Sequence, residues 1–203
     1  RQEILDNLVI LSPYDYSIFE PQTFLKKYKG TVYKGIDYEL SRGCIYSCAY
    51  CVETIIQKYY DFNESSKKTG AIKNFKKYSR NKSAKMAFLE ISNLNKNFDI
   101  SLFRCQDTNF LTINRNVLTE LSELISESNL DIKLYIETRP EGINSESIKL
   151  LKKLKVDGVG MGVEASSESF RQSNLNRFAD QKKIIEAFKI LKENGIKRTS
   201  YNI

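Results

Sequence analysis

From residue 36 to the end of the chain, short β-like runs alternate with longer runs of helical periodicity, and this alternation constrains the fold more than any other feature. Residues 36–41, 100–105, 132–138, 158–163 and 197–203 read as strands. The helical patterns between them begin near Ala49, cover residues 84–94 with Met86, Ala87, Leu89 and Ile91 on the apolar side, and open again at Asn114 ahead of Val117, Leu118, Leu121, Leu124 and Ile125. Ser145 caps a further helix carrying Ile148, Leu151 and Leu154, and the last, with Ala187, Phe188, Ile190 and Leu191, stops at Gly195. Parallel strands joined by right-handed helical crossovers predict an α/β fold, a partial (β/α) TIM-type barrel of about five to six parallel strands.

Residues 1–35 carry Pro13 and Pro21 amid aromatic and acidic residues without clear periodicity, which reads as an extended lead-in segment. Residues 36–203 then form the core domain. The stretch 63–82, rich in Lys, Ser and Asn, reads as mobile. The chain starts without methionine and stops within the fifth strand, so the core is expected to be incomplete at its C-terminal side.

The loop after the first strand reads Ser41-Arg42-Gly43-Cys44-Ile45-Tyr46-Ser47-Cys48-Ala49-Tyr50-Cys51. Three thiolates spaced C-x3-C-x2-C can hold three irons of a 4Fe-4S cube, whereas clusters dedicated to electron transfer take four cysteines. One iron is left open to bind a small molecule through its own donor atoms. A zinc site is the alternative, but zinc takes four ligands and the usual second pair is missing. Cys105 has apolar neighbours in a strand and reads as a buried thiol, and nothing suggests a disulfide scaffold.

This loop resembles the signature of the radical S-adenosylmethionine (radical SAM) superfamily, which has an aromatic residue, here Tyr50, just before the third cysteine. The resemblance implies that Cys44, Cys48 and Cys51 bind the cluster, that S-adenosylmethionine chelates the open iron, and that its reductive cleavage yields a 5'-deoxyadenosyl radical able to abstract hydrogen. It also implies that Tyr50 packs near the adenine.

Matches continue in the family's order at the carboxyl ends of later strands, where ligands sit in such folds. Gln106-Asp107-Thr108-Asn109-Phe110 resembles an Asp-Asp-x-Phe segment with the first aspartate replaced, implying that Asp107 contacts the amino group; a turn aspartate is the plainer reading. Glu137-Thr138-Arg139-Pro140 resembles a Thr-Arg-x-Asp segment; Glu137 and Arg139 share one side of the strand and could instead pair with each other. Gly160-Met161-Gly162-Val163-Glu164-Ala165 resembles the Gly-x-Glu-Ser-Gly segment lying against the ribose and methionine of the cofactor, departing from it at Ala165. Asn174-Leu175-Asn176-Arg177 resembles a Met-Asn-Arg segment whose arginine pairs with the methionine carboxylate, against the alternative of an exposed helix arginine.

The lead-in from Pro13 to Phe19, the run Tyr78-Ser79-Arg80 with Ser83 and Glu90, and the segment 107–115 look most like the cobalamin-associated branch, many of whose members transfer methyl groups. The chain has no histidine and no Asp-x-His-x-x-Gly motif, so cobalamin is expected only through a region outside it. A methylthiotransferase acting on tRNA or protein is the second enzymatic reading, although Val52-Glu53-Thr54-Ile55-Ile56 stands where those relatives have Pro-x-x-Arg-Gly. A non-catalytic cluster scaffold or electron carrier is the third.

A net charge of +7 would suit a nucleic-acid partner, but the lysine pairs are scattered, with no interleaved aromatic stripe. A small-molecule or peptide substrate is expected ahead of nucleic acid, with flavodoxin or ferredoxin as electron donor. No apolar run approaches a membrane span and no signal pattern opens the chain, so a cytoplasmic setting without membrane partners is expected.

Overall fold

The computed structural model describes residues 4–5, 7–8, 11, 14–62 and 64–203; Pro13 and Asn63 lie outside the described residues. β1 (Leu25–Tyr28) and β2 (Thr31–Tyr38) form an antiparallel hairpin. Its two-residue turn, Lys29-Gly30, has positive φ at both positions (50° and 84°), the conformation that matches the twist of the flanking strands. β3 (Ser41–Arg42) pairs antiparallel with β4 (Arg80–Asn81) in a separate ladder.

β5 (Leu102–Cys105), β6 (Lys133–Thr138), β7 (Val156–Glu164) and β8 (Lys197–Asn202) extend the sheet from β2, each parallel to its neighbour, in the order β1-β2-β5-β6-β7-β8. The result is a curled half-barrel of six strands, mostly parallel. α1 (Val52–Tyr59) and α2 (Phe75–Tyr78) follow the cysteine loop, and α3 (Ala84–Phe98), α4 (Arg115–Glu127), α5 (Ser145–Lys153), α6 (Glu168–Leu175) and α7 (Gln181–Glu193) complete the set.

The core lies between the sheet and its helices. Ile36, Tyr38, Phe103, Leu134, Ile136, Val159 and Met161 from the strands meet Ala87, Ile91, Leu118, Leu121, Leu151, Ala187 and Leu191 from the helices. Each fully buried aliphatic side chain contributes about 1.5–3 kcal/mol. Because this side of the sheet carries the apolar burial, the alternate side of the same strands is free to carry polar groups such as Arg104, Glu137, Thr199 and Tyr201. Among the described residues no helix is long and apolar enough to cross a membrane.

The expected strands recur with shifted edges. The first runs Thr31–Tyr38 rather than 36–41, because Leu40 N and Ser41 N donate to Asp107 Oδ1 instead of to a neighbouring strand. Residues 25–35, expected to be extended lead-in, supply β1 and the start of β2, so the sheet reaches back across the boundary at residue 36. The helix expected near Ala49 begins at Val52. The stretch expected to be mobile holds α2, β4 and two isolated bridges, Ser65 to Ile72 within it and Tyr46 to Ala71, which lays it against the cysteine loop.

Candidate functional site

The loops that follow the parallel strands gather on one rim of the half-barrel. The cysteine loop turns at Gly43, whose φ of +87° is left-handed and whose missing Cβ would stand 2.5 Å from Tyr78 O. Cys44 and Cys48 are buried and Cys51, the N-cap residue of α1, is half-buried.

α1 presents its polar side to this loop. Glu53 Oε1 accepts from Cys44 N (3.2 Å) and Tyr78 Oη (2.6 Å), while Gln57 Nε2 donates to Cys44 O and Tyr46 O, both at 2.9 Å. Thr54 Oγ1 donates to Cys48 O at 2.7 Å. The cysteine loop lies outside the main sheet, so these side chains satisfy part of its backbone.

Two distant segments clamp the loop from outside. Ser47 N donates to Gly70 O (2.9 Å) and Ile72 N to Ile45 O (2.8 Å). Asn176, the left-handed C-cap of α6 (φ 52°), donates through Nδ2 to Ser47 O at 2.7 Å, and Ala49 N donates to Leu175 O at 3.1 Å. The turn at Asn176 delivers the next side chain, Arg177, into the interior, where it is 4% exposed.

Arg177 Nη2 donates to Gly162 O at 2.5 Å and Nη1 to Tyr50 Oη at 3.2 Å; Nη1 also lies 3.4 Å from Glu164 Oε1 and 3.9 Å from Cys48 Sγ. Glu164 occupies the left-handed region at φ 70°, an uncommon backbone for a residue with a side chain, and its carboxylate fills the space where a Cβ at Gly162 would stand. Arg139 lies 3.8 Å over the Tyr46 ring, pairs with Glu141 at 2.5 Å and reaches Cys48 Sγ at 3.8 Å.

Cys44, Cys48, Cys51, Tyr50, Glu137, Arg139, Glu164 and Arg177 thus line one cleft, joined by Tyr46, Thr108, Thr138 and Tyr201. Asp107 is not among them. Its carboxylate is 1% exposed and Oδ1 accepts from Leu40 N (3.1 Å), Ser41 N (2.6 Å) and Ser41 Oγ (2.6 Å), so it closes the end of β2 while its neighbour Thr108 faces the cleft. The alternative pairing of Glu137 with Arg139 is also absent: Arg139 takes Glu141, and Glu137 Oε1 accepts from Tyr201 Oη at 3.2 Å. Arg177 is buried, not on a helix surface. Sequence reasoning missed Tyr46, Glu53, Gln57, Tyr78 and Glu141. The signal available was the polar pair Glu53 and Gln57, four residues apart on one side of a helix whose other side is apolar.

Burial pushes the Cys44 thiol up to about 11, against the opposing effects of the Tyr46 N–H and Arg139. Burial raises Cys51 as well. Arg177 is held above its ordinary value: burial works against its charge, and Tyr50, Cys48 and Glu164 outweigh it. Asp107 is raised to about 6 by burial, which exceeds the effect of the bonds from Ser41 and Leu40.

The donor set fits a cluster: three cysteines line one cleft in a chain without histidine, and in a cube each thiolate takes a different iron.

The family described as the Radical SAM superfamily matches residues 38–203. Comparison with curated proteins finds no match. Among solved structures, the chain is similar to the radical S-adenosylmethionine methyltransferase TsrM from Kitasatospora setae, with cobalamin and [4Fe-4S] cluster bound. The TM-score is 0.64 at 16% identity, over 82% of this chain and 30% of that one. It is similar to the cobalamin-dependent S-adenosylmethionine radical enzyme OxsB (TM-score 0.60, 16% identity, 82% of this chain and 23% of that one). It is also similar to HydG, a maturase of the [FeFe]-hydrogenase (TM-score 0.54, 14% identity, 83% and 34%). The chain therefore spans between 23% and 34% of the length of these structures, and at such identities the likeness is one of fold.

Proposed function

The chain belongs to the radical SAM superfamily, and from that premise we propose that it is the catalytic core of an enzyme in which Cys44, Cys48 and Cys51 hold the cluster and neighbouring strand-end residues hold S-adenosylmethionine. The cofactors of the family are a 4Fe-4S cluster and S-adenosylmethionine. When bound, the cluster supplies the electron for reductive cleavage of S-adenosylmethionine, and so a radical that abstracts hydrogen from substrate. The observation that carries this reading is the convergence of the three cysteines with Tyr50, Glu137, Arg139, Glu164 and Arg177 on one cleft.

Arg177 binds the methionine carboxylate. Its Nε has no hydrogen-bond partner among the described residues, which leaves a buried donor for a carboxylate oxygen. Glu164, held in place by Arg177, accepts from hydroxyl or amino groups of the cofactor. Tyr50, 43% exposed, offers the adenine an aromatic face beside the cysteines. Glu137, anchored by Tyr201, presents an acceptor at the same rim. The Tyr46 ring under Arg139 keeps water from one side of Cys48 and Cys44.

The core domain comprises residues 36–203 together with β1 and the start of β2, residues 25–35. Likeness in fold to TsrM and OxsB supports a place in the cobalamin-associated branch and methyl transfer as the outcome. Cobalamin would then be bound by a region outside this chain, with a small molecule or peptide as substrate and flavodoxin or ferredoxin as electron donor.

The test is anaerobic reconstitution with iron and sulfide, then incubation with dithionite and S-adenosylmethionine and detection of 5'-deoxyadenosine by mass spectrometry. The product is expected from the reconstituted chain and not from Cys44→Ala. A cluster retained in full by Cys44→Ala would overturn the ligand assignment.

A further inference from the structure

β7 turns bare backbone toward the inside of the half-barrel. Side chains alternate along a strand, so Gly158, Gly160 and Gly162 face one side together, over about 13 Å at roughly 3.3 Å per residue. A Cβ at Gly158 would meet Tyr28 Oη and Tyr135 Cδ2, and one at Gly160 would stand 2.6 Å from both Tyr135 Oη and Tyr201 Cε2. The place above Gly162 is taken by Glu164 of the cysteine cleft. Three tyrosines thus lie across the glycines and lead along the strand toward the cysteines.

The end away from the cysteines is closed by the β1–β2 hairpin. Tyr28, the last residue of β1, packs with Leu102 and Tyr135, its ring edge-to-face on Tyr135 with centroids 5.7 Å apart, and Lys197 Nζ lies 5.4 Å over its ring. The hairpin end therefore reaches the early residues of β5, β6, β7 and β8 and gives the interior a floor opposite the rim that carries the cysteines.

Between floor and rim is a cavity of about 280 Å³, close to the lower end of the roughly 300–1,000 Å³ usual for small-molecule sites. Its aromatic walls are Tyr28, Tyr135 and Tyr201, and its charged ones are Lys27, Lys29 and Arg104. Among the described residues no carboxylate lines it, and neither lysine has a carboxylate partner. Arg104 lies 3.7 Å from Asp37, whose oxygens already accept from Lys26 and Gln106 at 2.9 Å each, so its guanidinium keeps donors free. Tyr201 lines this cavity and the cysteine cleft alike; its hydroxyl donates to Glu137 at 3.2 Å and lies 2.8 Å from Tyr135 Oη, so the two spaces meet at this side chain.

We propose that this cavity holds the substrate, a small organic anion with a flat apolar body. Arg104, Lys27 and Lys29 take its carboxylate or phosphate at the floor, and Tyr28, Tyr135 and Tyr201 guide its body toward the cysteine cleft. Three cations without matching carboxylates attract an anion, a guanidinium binds either anion through two parallel hydrogen bonds, and tyrosine rings offer a flat body its contact area. The charged end is then the end remote from the cluster. The substrate role rests on the cofactor reading above, whereas the anion site stands on its own residues.

The experiment is calorimetric titration of the chain, cluster-free and reconstituted, with hydrocinnamate, with its neutral amide and with phenyl phosphate. At least one anion is expected to bind, and the amide to bind about tenfold more weakly or less. Tighter binding of hydrocinnamate assigns a carboxylate end and tighter binding of phenyl phosphate a phosphate end. Arg104→Gln, and Lys27→Gln with Lys29→Gln, should each weaken the anion about tenfold, Arg104→Lys should recover part of the loss, and Lys76→Gln with Lys77→Gln on α2 should change nothing. In the reduced, reconstituted protein the paramagnetic cluster should broaden the proton resonances of the bound ring more than those of the carbon beside the carboxylate. Binding of neither anion, equal binding of anion and amide, equal weakening by the α2 variant, or the reverse order of broadening would overturn the proposal. Absence of 5'-deoxyadenosine from the unsubstituted chain would overturn the cofactor reading and the substrate role with it, and would leave anion binding by the cluster-free chain intact.

Discussion

Arg139 and Arg177 approach the same sulfur from two different strand-end loops, with their Nη1 atoms 3.8 and 3.9 Å from Cys48 Sγ. Both guanidiniums are buried, and each also holds a carboxylate, Glu141 for Arg139 and Glu164 for Arg177. Positive charge in a poorly solvated site favours whichever state of the cluster carries more negative charge. Arg139→Gln is therefore expected to shift the reduction potential of the reconstituted cluster to more negative values, by several tens of millivolts. Potentiometric titration followed by electron paramagnetic resonance measures this, and an unchanged potential would show that Arg139 only packs against Tyr46.

Tyr78→Phe removes one hydroxyl and leaves the buried carboxylate of Glu53 with Cys44 N as its remaining partner. A hydrogen bond to a charged group contributes about 1.5–3 kcal/mol. For a chain of this size the melting temperature is expected to fall by about 3–12 °C, at roughly 2–4 °C per kcal/mol. Calorimetry on the cluster-free protein reads the fall directly. The same change should loosen the cysteine loop at Cys44, so iron incorporation per chain should drop together with stability.

Asp107 makes stability depend on pH in a direction opposite to that of a paired surface carboxylate. Burial raises its pKa from 3.8 to about 6 in the folded protein, so between those values the folded state binds more protons than the unfolded one. Its contribution is fully present below the unfolded value and is lost as pH rises toward 6. Asp107→Asn, which keeps the Oδ1 acceptor for Leu40 N and Ser41 N, should show no such loss. The stability of the original chain relative to the Asn variant is expected to fall by on the order of 3 kcal/mol between pH 4 and pH 7. Denaturant unfolding at a series of pH values tests this; parallel curves for the two proteins would overturn it.

The half-barrel was legible because its signals are local and repeated. The strand expected over 132–138 is found at Lys133–Thr138, and Asn114 caps α4 as its side chain suggests. Asn144, not Ser145, caps α5, since its side chain accepts from Glu146 N and Ser147 N while Ser147 bonds back. The hairpin was not legible, because β1 lies at the sheet edge where lysines and exposed positions blur the alternation. At the site, the cysteines and the cleft-facing Glu137, Arg139, Glu164 and Arg177 could be named from the order of motifs alone. The fate of Asp107 could not: an aspartate that ends a strand and one that meets a ligand have the same neighbours in sequence, and only the backbone N–H groups of Leu40 and Ser41 distinguish them. α1 misleads for a related reason, since apolar periodicity points to the face a helix usually buries, whereas unpaired loop carbonyls drew its polar face inward.

The hydrogen bonds from Asn176 to Ser47 join residues 129 positions apart in the chain. Contacts of such separation form late, because a long loop must close before they contribute anything. A chain emerging from the ribosome presents its cysteines well before the residue that clamps them is made. The loop therefore acquires its final shape only after β7 and α6 have been synthesised and packed, and iron insertion becomes a closing step of maturation that tests whether the sheet has been assembled through to that helix.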